Sequence, residues 1–502
     1  MRGAGWVWGG LLLLAGAGCG LPPAPPPTNP MRFLLVNDVY VLDTLADGSG
    51  GLARVATVRS RIASEGPTLF LLAGDVLSPS LLSKYYSGRQ MIEAFNAAGL
   101  DYATFGNHEF ELSRDTLVAR IAASRFRWLS ANCAEASGEA FPGVTAWDTV
   151  RMHGRLVGIF GLTMTGRYRS YVRCADPDSA AGLAIDALDR LGAQFIIGLT
   201  HQPIGDDRAL LRREPELDLI LGGHEHHAIT EMADGRYILK ADANSRSVQF
   251  ATVWGGDGAW RQAVNLVRID GTIRPDTAVR GITARWQDSL RARLGPEQVI
   301  GTAVEPLDAR DAISRQGESA VGRLVADALR SGTGADVALL NSGNLRLDDV
   351  VPAGPVTNYT IESFFLFADE SRIVTFPLTG GRLRQVLEHG VTTRSIGAGP
   401  FLQVSGVAFT YDPARPDSAR IVGPLRRPDG TAIADDDTLR VSFGVYPACE
   451  GGDGYAIPEA ADACRAWEQA PRAADLVVRH VKEDLQGRIV APPAGRILRQ
   501  GS

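Results

Sequence analysis

At 502 residues the chain is longer than one hydrophobic core usually supports, so two domains are expected, each with length for a large core. Hydrophobic residues at 45% and charged ones at 22% exclude a disordered or fibrous chain. The net charge of −6 argues against a nucleic-acid polymer as partner, and leaves open a small anionic substrate met by metal ions and a few arginines.

Arg2 precedes an apolar stretch from Trp6 to Leu14 and then Ala15-Gly16-Ala17-Gly18-Cys19. The stretch is too short to span a bilayer and ends in small residues, as an export signal does. Ala17-Gly18-Cys19 resembles the end of a bacterial lipoprotein signal, with Gly16 where that group usually has Leu. Lipidation of Cys19 is expected, with plain signal-peptidase cleavage as the alternative, and the proline-rich run Leu21 to Pro30 reads as an extended spacer. The expected location is the periplasm, the outer membrane or the cell surface of a bacterium, with membrane contact through the lipid alone. Besides Cys19 there are Cys133 and Cys174 in the first half and Cys449 and Cys464 near the end. In an oxidising compartment the economical pairing is 133 with 174 and 449 with 464; the alternative is four free, buried thiols.

From Arg32 onward, short apolar runs end in polar residues and are separated by helical periodicity. Phe33 to Val36 ends in Asn37-Asp38, Leu69 to Leu72 in Gly74-Asp75, and Tyr102 to Phe105 in Asn107-His108-Glu109. Phe195 to Leu199 ends in His201, and Leu219 to Leu221 in Gly222-Gly223-His224-Glu225-His226. Between them Leu52 to Ala63, Leu81 to Ala98 and Leu183 to Leu191 read as helices. Uniformly apolar strands alternating with helices imply a largely parallel sheet covered on both faces, an α/β arrangement in which sites form outside the carboxyl ends of the strands. Five of the eight histidines, His108, His201, His224, His226 and His227, lie in three of these loops, and ligand-type residues rarely cluster so by chance.

Two carboxylates, an amide oxygen and three imidazoles on one rim form a mixed oxygen and nitrogen set without thiolate, suited to two divalent ions such as Mn, Zn, Co or Fe. Asp75, on a central strand, is the natural bridging carboxylate. Such a pair stabilises attacking and leaving oxygens in displacement at phosphorus and brings the pKa of a bridging water towards neutrality. His108 beside Glu109 fits an acid oriented by a carboxylate, placed to protonate the leaving alkoxide.

These residues carry a resemblance. Asn37-Asp38-Val39-Tyr40, Ala73-Gly74-Asp75, Gly106-Asn107-His108-Glu109, Thr200-His201 and Gly222-Gly223-His224-Glu225-His226 are similar to the motifs of the calcineurin-like metallophosphoesterase domain of the 5′-nucleotidase family. The resemblance implies a four-layer sandwich, α+β over the whole chain, with Asp38 and His226 on one ion, Asp75 bridging, and Asn107, His201 and His224 on the other. His108 and Glu109 become the catalytic dyad. Where the family usually has Asp-x-His, this chain has Asp38-Val39-Tyr40, shared with a subset of the family. Tyr40 is then a phenolate ligand favouring ferric iron, a residue behind the ligands with water completing the site, or the mark of a weakened first site. The second is the reading expected here.

The same family's C-terminal domain is resembled from Gly301 onward, in Arg315-Gln316-Gly317-Glu318, Asn341-Ser342-Gly343-Asn344-Leu345-Arg346, Phe401 to Gly406 and Gly451-Gly452-Asp453-Gly454-Tyr455. By that resemblance Arg315 and Arg346 meet phosphate or ribose oxygens and Asn341 the base, with Gly343 beside it. Asp453 meets the ribose hydroxyls and Phe401 one face of the base. The second stacking position aligns with Pro447, and the neighbouring Tyr446 serves with a shift of one residue. The expected divisions are residues 1–30 for signal and spacer, 31–268 for the metallophosphoesterase domain, 269–300 for a linking helix, read from Ile282, Trp286 and Leu290, and 301–495 for the nucleotide-binding domain.

The resulting expectation is an exported phosphomonoesterase, monomer or dimer, hydrolysing nucleoside 5′-monophosphates with metal-bound hydroxide as nucleophile and His108 as acid. Within the family a 2′,3′-cyclic nucleotide phosphodiesterase, a nucleotide-sugar hydrolase and related sulfur-chemistry hydrolases are alternatives. From another class, a surface binding protein with a decayed metal site rests on Tyr40.

Overall fold

A computed structural model describes residues 28–45, 47–166, 168–256, 259–347, 349–365 and 371–501. The export signal and Cys19 lie outside the described residues. Among those described, no helix is long and apolar enough to cross a membrane.

The apolar runs of the first half do form strands, but in two stacked sheets rather than one. The first has seven strands, in the order Ala259–Arg268, Ser247–Gly256, Met31–Val36, Thr68–Ala73, Tyr102–Thr104, Arg127–Leu129 and Val144–Thr145. The second has six: Ile229–Ala233, Arg236–Lys240, Leu219–Gly222, Phe195–His201, Arg155–Thr163 and Trp147–Met152. Pairing is parallel from Met31–Val36 through Val144–Thr145, and among the four central strands of the second sheet. Alternation along a strand explains the uniform apolarity, because successive side chains face opposite layers. Phe33 and Leu35 face the other sheet, where the Phe33 and Phe195 rings stack at 5.6 Å. Leu34 and Val36 face helices Leu52–Ala63, Arg89–Ala98 and Thr277–Leu294. Helices Pro177–Arg190 and Ile204–Arg213 cover the far side, completing four layers. Periodicity shows that a strand is buried on both faces, not which sheet it joins.

Two helices differ from expectation. Leu81 to Ala98 is two helices, Leu81–Tyr86 and Arg89–Ala98, broken where Ser87 and Gly88 take φ of 50° and 78°. Pro177–Arg190 starts six residues before Leu183, set by the Asp176 cap and Pro177 at its first position. The expected helix following Asp276 is present as Thr277–Leu294, capped by the Asp276 carboxylate, and it packs on the first half: Trp286 meets the Tyr86 ring at 4.9 Å and donates to Glu93 Oε2 at 2.8 Å.

In the second half a four-stranded mixed sheet, ordered Ile373–Thr379, Thr438–Gly444, Val337–Asn341 and Leu402–Ser405, packs against helices Ala320–Thr333 and Gly380–Gly390. Disulfides join Cys133 to Cys174 and Cys449 to Cys464. The carboxyl ends of Met31–Val36, Thr68–Ala73, Tyr102–Thr104, Phe195–His201 and Leu219–Gly222 converge on one rim, which the second half faces.

Candidate active site

Asp38 and Asp75 leave their strands with φ of 53° and 56°, and His224 and His226 have 91° and 61°. Non-glycine residues persist in this region only where their surroundings over-determine them, and they cluster at functional sites. Gly106 gives Asp75 its room, since a Cβ there would lie 2.0 Å from Asp75 Oδ1. Asp38, Asp75 and His201, all buried, bring ligand atoms within 4.8 Å of one another. His201 Nδ1 lies 2.8 Å from the Ala73 carbonyl, which can only accept, so the proton sits there. In the neutral ring Nε2 then turns its lone pair to Asp75 Oδ2 at 3.2 Å.

Two acceptors facing each other call for a cation between them. Burial pulls the His201 imidazole down, but Asp75 and then Asp38 push harder, to about 9, so the two carboxylates draw positive charge to this point. Buried Asn107 Oδ1 and His201 Nε2 have no hydrogen-bond partner. Orphaned acceptors of this kind beside two carboxylates fit a divalent cation. His226 Nε2 is 3.4 Å from Asp38 Oδ1, and the His224 amide donates to Asp38 Oδ2 at 2.9 Å. The Tyr40 phenol sits among them, 3.1 Å from Asp75 Oδ2 and from His226 Nε2 and 3.4 Å from Asp38 Oδ1. Burial, then the Asp75 and Asp38 charges, push that phenol well above its ordinary range.

The carboxylate that meets His108 is not the adjacent one. Glu109 is wholly buried and accepts backbone N–H groups: Val76 and Leu77 at 2.7 and 2.9 Å on Oε1, Asp75 and Gly106 at 2.8 and 2.6 Å on Oε2. It fastens the Asp75 loop to the His108 loop and does not form the expected dyad. Residues His108–Glu111 form a 3₁₀ turn, in which positions i and i+3 eclipse, so Glu111 comes to His108 instead, Oε1 to Nδ1 at 2.7 Å. Arg346, from the second half, places Nη2 2.9 Å from Glu111 Oε1 and 3.1 Å from His108 Nδ1. Burial opposes charge on both partners but loses: His108, with Glu111 and Asp75 beside it, is raised, and Glu111, with His108 and Arg346, is held at about 2.

From Asn107 and Glu111 a cavity of about 580 Å³ opens between the halves to Arg315, Asn341, Gly343, Arg346, Tyr446 and Asp453. Asn341 Nδ2 donates to Asp453 Oδ2 at 2.7 Å, and the Tyr446 ring lies on Gly452, where a Cβ would come within 2.5 Å of it. Phe401 is absent from the lining. Its ring is fully buried in the core with Leu387, Leu402 and Tyr455, so the expectation that it presents a face to a base is corrected. Tyr168, Arg169 and Glu450 line the cavity in addition.

Residues 31–228 match the calcineurin-like phosphoesterase family, and residues 299–460 match the 5′-nucleotidase C-terminal domain. The chain belongs to the 5′-nucleotidase family of metallophosphoesterases. It is 25% identical over 463 residues to a snake venom 5′-nucleotidase of Naja atra, covering 82% of this chain and 86% of that one. To the 5′-nucleotidase of Rattus norvegicus it is 24% identical over 456 residues, covering 81% and 78%. The crystal structure of a 5′-nucleotidase precursor from Thermus thermophilus superposes with a TM-score of 0.77 at 25% identity, covering 94% of this chain and all of that one. The sulfate thiohydrolase SoxB of Thermus thermophilus shares the fold, with a TM-score of 0.72 at 15% identity over 95% of this chain and 98% of that one.

Family membership makes this chain a hydrolase and takes the support from a mere binding protein. Sequence reasoning missed Glu111 although the signal was present: Glu-Phe-Glu after His108 offers two carboxylates, and only the turn geometry selects the second. Tyr168, Arg169 and Glu450 carried no signal in this nucleotidase-family chain, since tertiary packing alone brings them to the cavity.

Proposed function

We propose that the protein is an exported, metal-dependent phosphomonoesterase acting on nucleoside 5′-monophosphates. The observation that carries this reading is one cavity running from Asn107 past Arg346 and Arg315 to Asn341 and Asp453, so that a phosphate met by the arginines at the Asn107 end reaches hydroxyls and a base at the other. Asp38 and His226 would hold one ion, Asp75 would bridge, and Asn107, His201 and His224 would hold the second, a donor set supported by the orphaned acceptors. Two such ions, when bound, neutralise phosphate charge and lower the pKa of water between them. Tyr40 hydrogen-bonds the two carboxylates and keeps them aimed. Arg346 and Arg315 bind and orient the phosphate ester by their guanidinium forks. His108 Nε2 carries the proton for the leaving oxygen, and Glu111 holds Nδ1 so that this nitrogen faces the reaction. Export is supported by the two disulfides.

The burial of Phe401 favours a second reading within the family, a nucleotide-sugar hydrolase. Tyr446 is then the one ring of the expected clamp on the cavity wall, beside Glu450 and Asp453, whose carboxylates suit a hydroxyl-rich group. A hydrolysis screen of the protein with Mn, Co, Zn and Mg against mononucleotides, cyclic nucleotides and nucleotide sugars tests both. Release of phosphate from mononucleotides is the expected outcome; inactivity on every pair would end the proposal.

A further inference from the structure

Lys240 closes strand Arg236–Lys240 and is fully buried. A lysine survives in a core only where its charge is matched and its donors are used. Its Nζ donates to the carbonyls of Gln202 at 2.7 Å and Gly223 at 2.8 Å and to Glu225 Oε2 at 2.6 Å, and lies 2.7 Å from Asp207 Oδ2. These acceptors bracket the histidines in sequence. Gln202 follows His201, Gly223 precedes His224, and Glu225 separates His224 from His226.

The route of the side chain is built in. Lys240 is the register partner of Gly222 in the neighbouring parallel strand, and a Cβ on Gly222 would lie 2.9 Å from Lys240 Cε. The far ends of the network are fixed as well. Asp207 Oδ1 accepts from Thr200 Oγ1 at 2.8 Å and Gln202 Nε2 at 3.0 Å, while Glu225 Oε1 accepts the Ile204 amide. One ammonium therefore ties the backbone just after His201 to the turn that carries His224 and His226 at positive φ, and through Asp207 it also reaches the Thr200 hydroxyl just before His201.

We propose that Lys240 is the positioning residue of the three-histidine array, acting through the Gln202 and Gly223 carbonyls and the Glu225 carboxylate. Groups that orient metal-binding side chains from behind are typically worth 10–100-fold in metal affinity. The inference rests on the reading of His201, His224 and His226 as metal ligands.

The test is a Co²⁺ titration of the metal-stripped full chain, followed by calorimetry and by the visible ligand-field spectrum. Lys240→Met combined with Asp207→Asn removes one cation with one anion; Glu225→Gln cuts the link to the histidine turn and leaves the Lys240 to Asp207 pair intact. Each should bind Co²⁺ about 10- to 100-fold more weakly with a changed spectrum while circular dichroism stays that of the wild type. Wild-type affinity and spectrum in either folded variant overturns the proposal, and if the double variant does not fold the Glu225→Gln titration decides. His224→Ala separates the two layers of inference: undiminished Co²⁺ binding there would sink the ligand reading itself, whereas its loss beside unchanged binding in the Lys240 and Glu225 variants would sink only the role of Lys240.

Discussion

His108 reaches its carboxylate through one turn of 3₁₀ helix, and the choice of Glu111 over Glu109 decides what each side chain can do. Glu109 has both oxygens filled by backbone amides, so its loss would loosen two loops rather than change an imidazole. Substituting His108 by Ala should leave metal content unchanged and lower hydrolysis by about two orders of magnitude or more, measured on mononucleotides with parallel metal analysis. Glu111→Gln gives a signature of its own. Burial alone would strip the proton from His108, and Glu111 is the first of the charges that hold it there. An acid must be protonated to act, so removing Glu111 should move the alkaline limb of kcat/KM to lower pH and cut activity at neutral pH by roughly tenfold or more. An unmoved alkaline limb would dissociate Glu111 from the proton on His108. At this scale the sequence was most legible where chemistry is local. Asn107, His108 and His201 declare themselves by type and position after strands, whereas Glu111 depends on a turn and Phe401 on which way a core ring packs.

Strands were legible as elements because burial on both faces writes an unbroken apolar run, yet their distribution over two sheets was not, since parallel partners leave the same pattern in either sheet. The helix break at Ser87 and Gly88 was equally hidden, because Gly88 alone reads as a tolerated residue within an apolar stripe. The segment from Cys449 to Cys464 shows the reverse case, a pairing read from counting that the structure contains. It carries Gly451, Asp453 and Gly454 at φ of 68°, 56° and 80°, and its regular pieces are single turns. A ring closed across 15 residues limits the unfolded chain by about 3 kcal/mol. Replacing both cysteines by Ala should therefore cost about 2–3 kcal/mol in denaturant unfolding. Because Asp453 belongs to the cavity and not to the His108 loop, KM should rise several-fold with kcat changed little. A fall in kcat at constant KM would remove Asp453 from ground-state binding.

The two halves meet through charged groups, and the arrangement of the whole molecule depends on how those groups are matched. Lys84, on the first half and almost without exposure, donates to Glu362 Oε2 at 2.8 Å and to the Phe365 carbonyl at 2.7 Å. Arg472 grips both oxygens of the same carboxylate at 2.6 and 2.7 Å. Burial would raise the Glu362 carboxyl, but Lys84 and Arg472 outweigh it and the group stays ionised. On the other side of the cavity Arg346 reaches across to His108 and Glu111, so the arrangement that completes the site is the one the Glu362 cluster holds shut. Domains joined by polar interfaces move relative to each other by default. Here motion must expose Lys84 or leave it without an anion, and breaking a buried pair on one side costs about 3–5 kcal/mol. Glu362→Gln leaves Lys84 and Arg472 facing a neutral amide, and the penalty falls on the closed arrangement while each half keeps its own core. The expected result is a larger radius of gyration by small-angle X-ray scattering and a loss of kcat/KM of about tenfold or more as Arg346 withdraws from the His108 pair. If the radius and kcat/KM both stay at wild-type values, the Glu362 cluster is a passive contact, and closure must be held by the groups around Arg346 alone.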